Sequence, residues 1–160
     1  MSDTPISPLA AALGRIPTGL YIVTTLSDGK PMGFVGSFVI QTGLEPPRVC
    51  VAVGKDRDHL QAIRETGSFT VSILDGESAG LMGTFFKPAP EGQTHYDALD
   101  TTEAPSGVPV LSGSLAWLDC KVAGEFNGGD HIIVFGEVTA GEQLRDGEPS
   151  VHLRKNGLGY

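Results

Sequence analysis

The sequence predicts a mainly β protein whose strands close into an antiparallel barrel with short helices at its ends. Three observations carry this expectation. About six segments rich in β-branched and aromatic residues are separated by turn-forming clusters, with no regular strand-helix alternation of the kind a doubly wound sheet needs. An Asp-Gly pair at 28–29 and an Asn-Gly-Gly-Asp run at 127–130 stand between such segments as hairpin signals. The 160-residue length fits a single domain, 1–160, of a size that buries roughly 70% of the surface its unfolded chain exposes, so closure needs no disulfide or metal.

Taken in order, Pro8 to Ile16 predicts a short helix, with Leu9, Ala12, Leu13 and Ile16 at helical spacing, Ser7 as cap, Pro8 in the first turn and Pro17 as stop. Thr18 to Leu26 is a strand, and the Ser-Asp-Gly-Lys turn returns the chain along Met32 to Ile40. After Pro46-Pro47, the apolar run Arg48 to Gly54 reads as a strand buried on both faces. Asp56 to Arg64 predicts a helix that buries Leu60, Ala62 and Ile63 and ends before Gly67. Ser68 to Leu74 alternates as a strand, and Glu77 to Phe86 reads as a small-residue helix. Lys87 to Val110 carries four prolines and no period, so it is expected as a long loop that covers something. Leu115 to Ala123, with the single tryptophan, and His131 to Thr139 complete the strands. The basic tail, Val151 to Tyr160, is expected as a last edge or a partner contact.

Composition narrows the function. Eleven basic against nineteen acidic residues give a net charge of −8 and a pI near 4.8, a balance that repels polyanions and argues against nucleic acid as partner. It leaves room for a small phosphate ligand, which needs one or two local cations and some N–H groups. No apolar run approaches the roughly 18 to 20 residues of a spanning helix, so no membrane partner is expected. The first residues lack a basic region followed by a long apolar core, which places the protein in the cytoplasm. Cys50 and Cys120, both in predicted strands, read there as buried thiols.

Side-chain constellations for catalysis are absent. His59, His95, His131 and His152 fall in four segments without ligand spacing, so no metal is expected. There is no Gly-x-Ser-x-Gly elbow, and GFVGSF lacks the spacing and the following helix of a dinucleotide fingerprint. A cofactor slot remains. Gly33, Gly36 and Ser37 permit a close backbone approach, and Phe34, Val35, Phe38 and Val39 offer apolar surface; an ordinary strand with glycines at a bulge explains the same residues.

The segments LGRIPTGLYIVTT, MGFVGSFVIQTGLEPPRVCVAV, GKDRDHLQAIRETGSFTVSIL, LMGTFFK and GGDHIIVFGEV, in this order and spacing, resemble the flavin reductase family with the FMN-binding split-barrel fold. GRIPTGLYIVTT with GKDRDHLQAIRETG is similar, more narrowly, to the flavin-reductase module at the C-terminus of some flavodiiron proteins. The resemblance implies an antiparallel six-stranded Greek-key split barrel with short flanking helices, forming a homodimer with flavin sites at the subunit interface.

It also implies roles. Gly33, Phe34, Val35, Gly36, Ser37 and Phe38 should line the flavin, with Ser37 at the ribityl or phosphate end. Gln41 and Thr42 should continue that wall. Lys55 and Arg57 would neutralise the phosphate, or else serve as solvated charges at a helix start. Phe86 and Lys87 fall where the family closes over the flavin, and His131 matches the histidine near the flavin ring and nicotinamide. Gly36 departs from the relatives that carry a second hydroxyl there. The implied activity is an NAD(P)H-dependent flavin reductase using FMN, with FAD as the other candidate flavin. Hydride passes from the nicotinamide to flavin N5, then electrons to oxygen, free flavin or an acceptor protein. Catalysis of this kind is mostly positioning, which suits a chain without an acid-base pair and makes the 87–110 loop a candidate lid. A non-catalytic FMN-binding electron carrier or interaction module is the alternative.

Overall fold

The structure, a computed structural model, describes residues 5–159. Strand β1 (Tyr21–Ser27) turns at Asp28 and Gly29, both at positive φ as a type I′ hairpin requires, into β2 (Lys30–Gly36). Strands β3 (Val39–Leu44) and β4 (Pro47–Gly54) make a second hairpin, joined by a cis Glu45–Pro46 peptide. The chain continues with β5 (Ser68–Ile73), β6 (Thr101–Glu103), β7 (Pro109–Leu111), β8 (Ala116–Asn127) and β9 (His131–Gln143). Seven strands form one antiparallel sheet in the order β2-β1-β5-β8-β9-β4-β3, and β6 and β7 form a separate pair.

That order dictates the shape. The edge strands β2 and β3 are consecutive in sequence, joined only by Ser37 and Phe38. Three Cα steps separate Gly36 from Val39, at most ~11 Å, so the sheet must curl until its edges meet. The edges meet without a ladder between them, which splits the barrel at Ser37–Phe38. Six strands were expected because Met32 to Ile40 reads as one; the split divides it into two.

Inside the curl, Val23, Phe34, Val51, Val53, Phe69, Val71 and Val134 form one core, with Leu60 and Ile63 added by helix α2 (Asp58–Thr66). Gly67 closes α2 in the left-handed conformation. The first helix, α1 (Pro8–Leu13), has the Ser7 side chain accepting from the Ala10 N–H, and it stops at Gly14, short of the expected Ile16. Ala79–Phe86 winds as a 3-10 helix in place of an α-helix; Gly80, Gly83 and Thr84 weaken α-helical propensity there.

Residues 87–110 are more ordered than their composition suggests. They contain a 3-10 turn, His95–Ala98, and the β6–β7 hairpin. Buried Asp119 accepts from the N–H and hydroxyl of Ser106, Thr70 Oγ1 donates to the Pro109 carbonyl, and Ser72 Oγ accepts from the Leu111 N–H, so the second half of the segment is bonded to the barrel wall. Cys50 on β4 and Cys120 on β8 are both free, with β9 lying between their strands; burial pushes the Cys120 thiol up to about 12. Among the described residues no helix is long and apolar enough to cross a membrane.

The tail returns to the barrel. Thr18 and His152 exchange backbone hydrogen bonds of 3.0 and 2.7 Å, the Ser150 N–H donates to the Leu74 carbonyl, and Gly157 N–H donates to the Ala10 carbonyl. Behind it Arg145 clasps Asp75, Nη2 to Oδ1 at 2.6 Å and Nε to Oδ2 at 3.2 Å. Tyr160, the last residue of the expected edge, lies outside the described residues.

Candidate functional site

A cleft of about 460 Å³ opens where the barrel is split. Phe34 and Val35 of β2 make one wall, Leu20 adds to it, and Met82, Phe85 and Phe86 of the 3-10 helix face them. Phe86, 70% exposed, stands at the rim of the cleft. Ser37, nearly buried, sits at the strand end with Arg57, His152 and Arg154 around it.

The two guanidinium groups are held against aromatic rings. Arg57 Cζ lies 5.9 Å from the Phe34 centroid and Arg154 Cζ 4.3 Å from that of Phe38, both within cation–π range. Arg57 stands at the N-cap position of α2 in an extended conformation, which carries its side chain away from the helix; it also lines a second cleft and a recess behind Phe38. In a chain of net charge −8, two guanidinium groups lining one cleft make it a candidate site for an anion.

The recess contains Lys55, Asp130 and His131. His131 packs edge-on to Phe38 at 5.8 Å, and its Nδ1 lies 2.8 Å from Asp130 Oδ1. The hydrogen bond to His131, then its charge, hold the Asp130 carboxyl below the usual range. Lys55 is tied to the β8–β9 turn, its Nζ donating to Asn127 Oδ1 at 2.8 Å and its backbone N–H to the Asp130 carbonyl. Among the described residues no three histidine, cysteine or acidic side chains are placed to hold a metal.

The sequence-derived residues therefore divide. Phe34, Val35, Ser37, Arg57 and Phe86 line the cleft; Lys55 and His131 line the recess, which shares Arg57 with the cleft, and Phe38 touches Arg154 of the first and His131 of the second. Gly36 is buried, with Val23 Cγ2 only 3.2 Å from where a Cβ would sit. Gly33 has a different partner: a Cβ there would collide with the hydroxyl of Tyr96, which pairs with Thr24 Oγ1 at 2.6 Å in a buried contact. Gln41 and Thr42 are exposed on β3, outside the cleft of a single chain, and the Gln41 amide donates to the Gly43 carbonyl. Lys87 follows the 3-10 helix, and its carbonyl meets His95 Nε2 at 2.7 Å.

His152 and Arg154 also line the cleft, and the sequence reading does not bring them there. Their only signal is the basic character of the tail, which says nothing about where the tail docks. Arg15 Nη2 donates to the Arg154 carbonyl at 3.0 Å, and the exchange between Thr18 and His152 fixes the register that brings both side chains to the cleft. An apolar slot with aromatic walls, two guanidinium groups and a hydroxyl suits a planar aromatic ligand that carries phosphate.

Known proteins share this architecture. The chain is 37% identical over 157 residues to Diflavin flavoprotein A 1 of Synechocystis, covering 96% of this chain but 27% of that protein's length. It is 35% identical over 142 residues to the reductase subunit HsaB of a flavin-dependent monooxygenase from Rhodococcus jostii, covering 89% of this chain and 71% of HsaB. The solved structure of the NADH:FAD oxidoreductase SgcE6 of Streptomyces globisporus superposes with a TM-score of 0.83 at 28% identity, covering 92% of each chain. Residues 13–157 match the description of the flavin reductase like domain, and the chain belongs to that family.

Proposed function

We propose that this protein is an NAD(P)H-dependent flavin reductase that holds FMN in the cleft at the barrel split. The observation that carries the reading is the cleft itself, an aromatic slot with Ser37 at one end and Arg57 and Arg154 converging on it. Phe34, Val35, Leu20 and Met82 exclude water from the ring, and the two guanidinium groups offset the charge of the phosphate. His131, hydrogen-bonded to Asp130, packs against Phe38 in the neighbouring recess, and from that side it would orient the nicotinamide. Bound flavin supplies N5 as acceptor for the hydride of the reduced nicotinamide. A hydride moves as one unit, so no side chain has to carry a proton in that step, and the chain's contribution is to stack and align the two rings.

Reduced flavin then serves an acceptor: oxygen, free flavin or a partner protein such as an oxygenase. The similarity to HsaB, by its name the reductase subunit of a monooxygenase, supports the last of these. We also place the protein in the cytoplasm as a homodimer. On the edge strand β3, Ile40 is 65% and Leu44 82% exposed, an apolar edge that a second copy would cover, bringing Gln41 and Thr42 toward a flavin.

The test is the absorbance spectrum of the purified protein with its released cofactor identified, followed by anaerobic mixing with NADH or NADPH. Flavin bands that bleach with either nucleotide are expected, and the released cofactor decides between FMN and FAD. Bands that persist with both would leave a flavin carrier that exchanges electrons with proteins. That second reading draws on the similarity to one part of a larger diflavin flavoprotein.

A further inference from the structure

We propose that His59 is a positioning residue for the flavin cleft: its uncharged imidazole ties α2 to the Gly33 carbonyl of β2 and braces the Phe34 ring. The inference rests on the flavin reading for its ligand, and on geometry for everything else.

β2 is an edge of the sheet, so the carbonyls on its outer side have no neighbouring strand to serve them. His59 Nε2 lies 3.0 Å from the Gly33 carbonyl oxygen, and since that oxygen only accepts, Nε2 carries the proton. The same ring meets Phe34 edge-on, with centroids 5.0 Å apart. The Tyr96 hydroxyl, paired with Thr24, fills the space where a Cβ of Gly33 would sit. The Gly33–Phe34 segment is therefore held by contacts from both α2 and the His95–Ala98 turn. Phe34, with Arg57 and Phe85, lines both the flavin cleft and the second cleft of about 500 Å³, so a shift of its ring alters both.

The charge state of His59 matters because of its other nitrogen. His59 Nδ1 is buried with no hydrogen-bond partner among the described residues. A neutral ring leaves it a bare acceptor, a modest cost; a protonated ring would bury a charged N–H donor with nothing to receive it, which is far more costly. Around the ring stand Arg57 and Asp58 of its own helix region, Asp28 and Lys30 at the β1–β2 turn, and His95 across the second cleft. None of them accepts from Nδ1. Burial, with Arg57 and His95 acting in the same direction against Asp58 and the Gly33 carbonyl, holds the imidazole below its ordinary titration range.

The test is FMN titration of the full chain, as wild type, His59→Gln and His59→Phe, from roughly pH 5 to pH 8. The Gln amide nitrogen can occupy the Nε2 position and donate to Gly33 without titrating, whereas Phe packs but cannot donate. Expected are a loss of about tenfold in FMN affinity for His59→Phe near neutrality, rescue by His59→Gln, and a steeper acid fall for wild type than for His59→Gln. Comparing proteins at each pH cancels titration of the FMN phosphate. Equal affinity of His59→Phe and wild type, or parallel profiles of wild type and His59→Gln, would overturn the proposal. Imidazole 15N NMR of the flavin-free protein supplies an arm that does not need flavin. A ring protonated at Nε2 and resisting protonation supports the positioning role; a proton on Nδ1, or ordinary titration, defeats it even if FMN binds. Absence of FMN binding by the wild type would instead count against the reductase reading, with the NMR arm still deciding the role of His59.

Discussion

The Arg154 guanidinium lies 4.3 Å over the ring of Phe38, joining the C-terminal segment to the two-residue gap between the barrel's edge strands. The tail is thus a wall of the cleft. Arg154→Ala is expected to weaken FMN binding by about 1 to 2 kcal/mol, and Arg154→Lys by less, since the ammonium keeps the charge but loses the planar stack. Equal affinities for all three proteins in a fluorescence titration would remove Arg154 from the site.

Ser37 and Lys55 should separate. Ser37→Ala removes a hydroxyl at the cleft and is expected to cost about 1 to 3 kcal/mol of FMN affinity if it serves the phosphate. Lys55 is committed to Asn127 and faces the recess, so Lys55→Ala should cost less. The opposite ranking would place the phosphate in the recess.

Gly33 is predicted to be needed for packing. Gly33→Ala drives a methyl group into the Tyr96 hydroxyl and should destabilise the fold by about 1 to 3 kcal/mol. In the Gly33→Ala/Tyr96→Phe double variant the collision is relieved, so the two losses measured by urea unfolding should sum to more than the loss in the double variant. Strict additivity would show that the collision does not matter.

Acid should loosen the tail. Hydrogen bonds from Ser78, then the Arg145 guanidinium, hold the Asp75 carboxyl down to about 2 from an ordinary 3.8. A depressed carboxyl contributes stability that is complete above its unfolded value and disappears as pH falls from 3.8 toward about 2. Thermal melts of wild type should therefore fall through that window, while Asp75→Asn, less stable at neutral pH, should fall less. Identical acid slopes would exclude Asp75 as the group responsible.

Much of the barrel was legible because its signals are local. Asp28-Gly29 can hardly be other than a tight turn, Ser7-Pro8 is a helix start, and the β-branched runs of β1, β4 and β5 are strands wherever they pack. Of the stretch from Gly33 to Phe38, the structure brings Phe34, Val35 and Ser37 to one cleft, and five motifs in register pointed to the family. The split at Ser37–Phe38 was not legible, since nothing in Met32 to Ile40 announces that its two halves pair with different strands. Nor did Gly33 disclose its reason, which is a tyrosine brought over it by a distant turn.

The sequence by itself determined where strands and turns lie, the charge balance and the family, because each is decided by neighbouring residues or by their order. Only the tertiary structure decided which cations converge and which face of each strand the cleft uses. Arg57 and Arg154 lie far apart in sequence and share a cleft because the sheet curls until β2 meets β3 and the tail is pinned to Thr18 and Asp75. Those are long-range contacts, stabilised by burial and by hydrogen bonds between distant segments, and no local pattern encodes them.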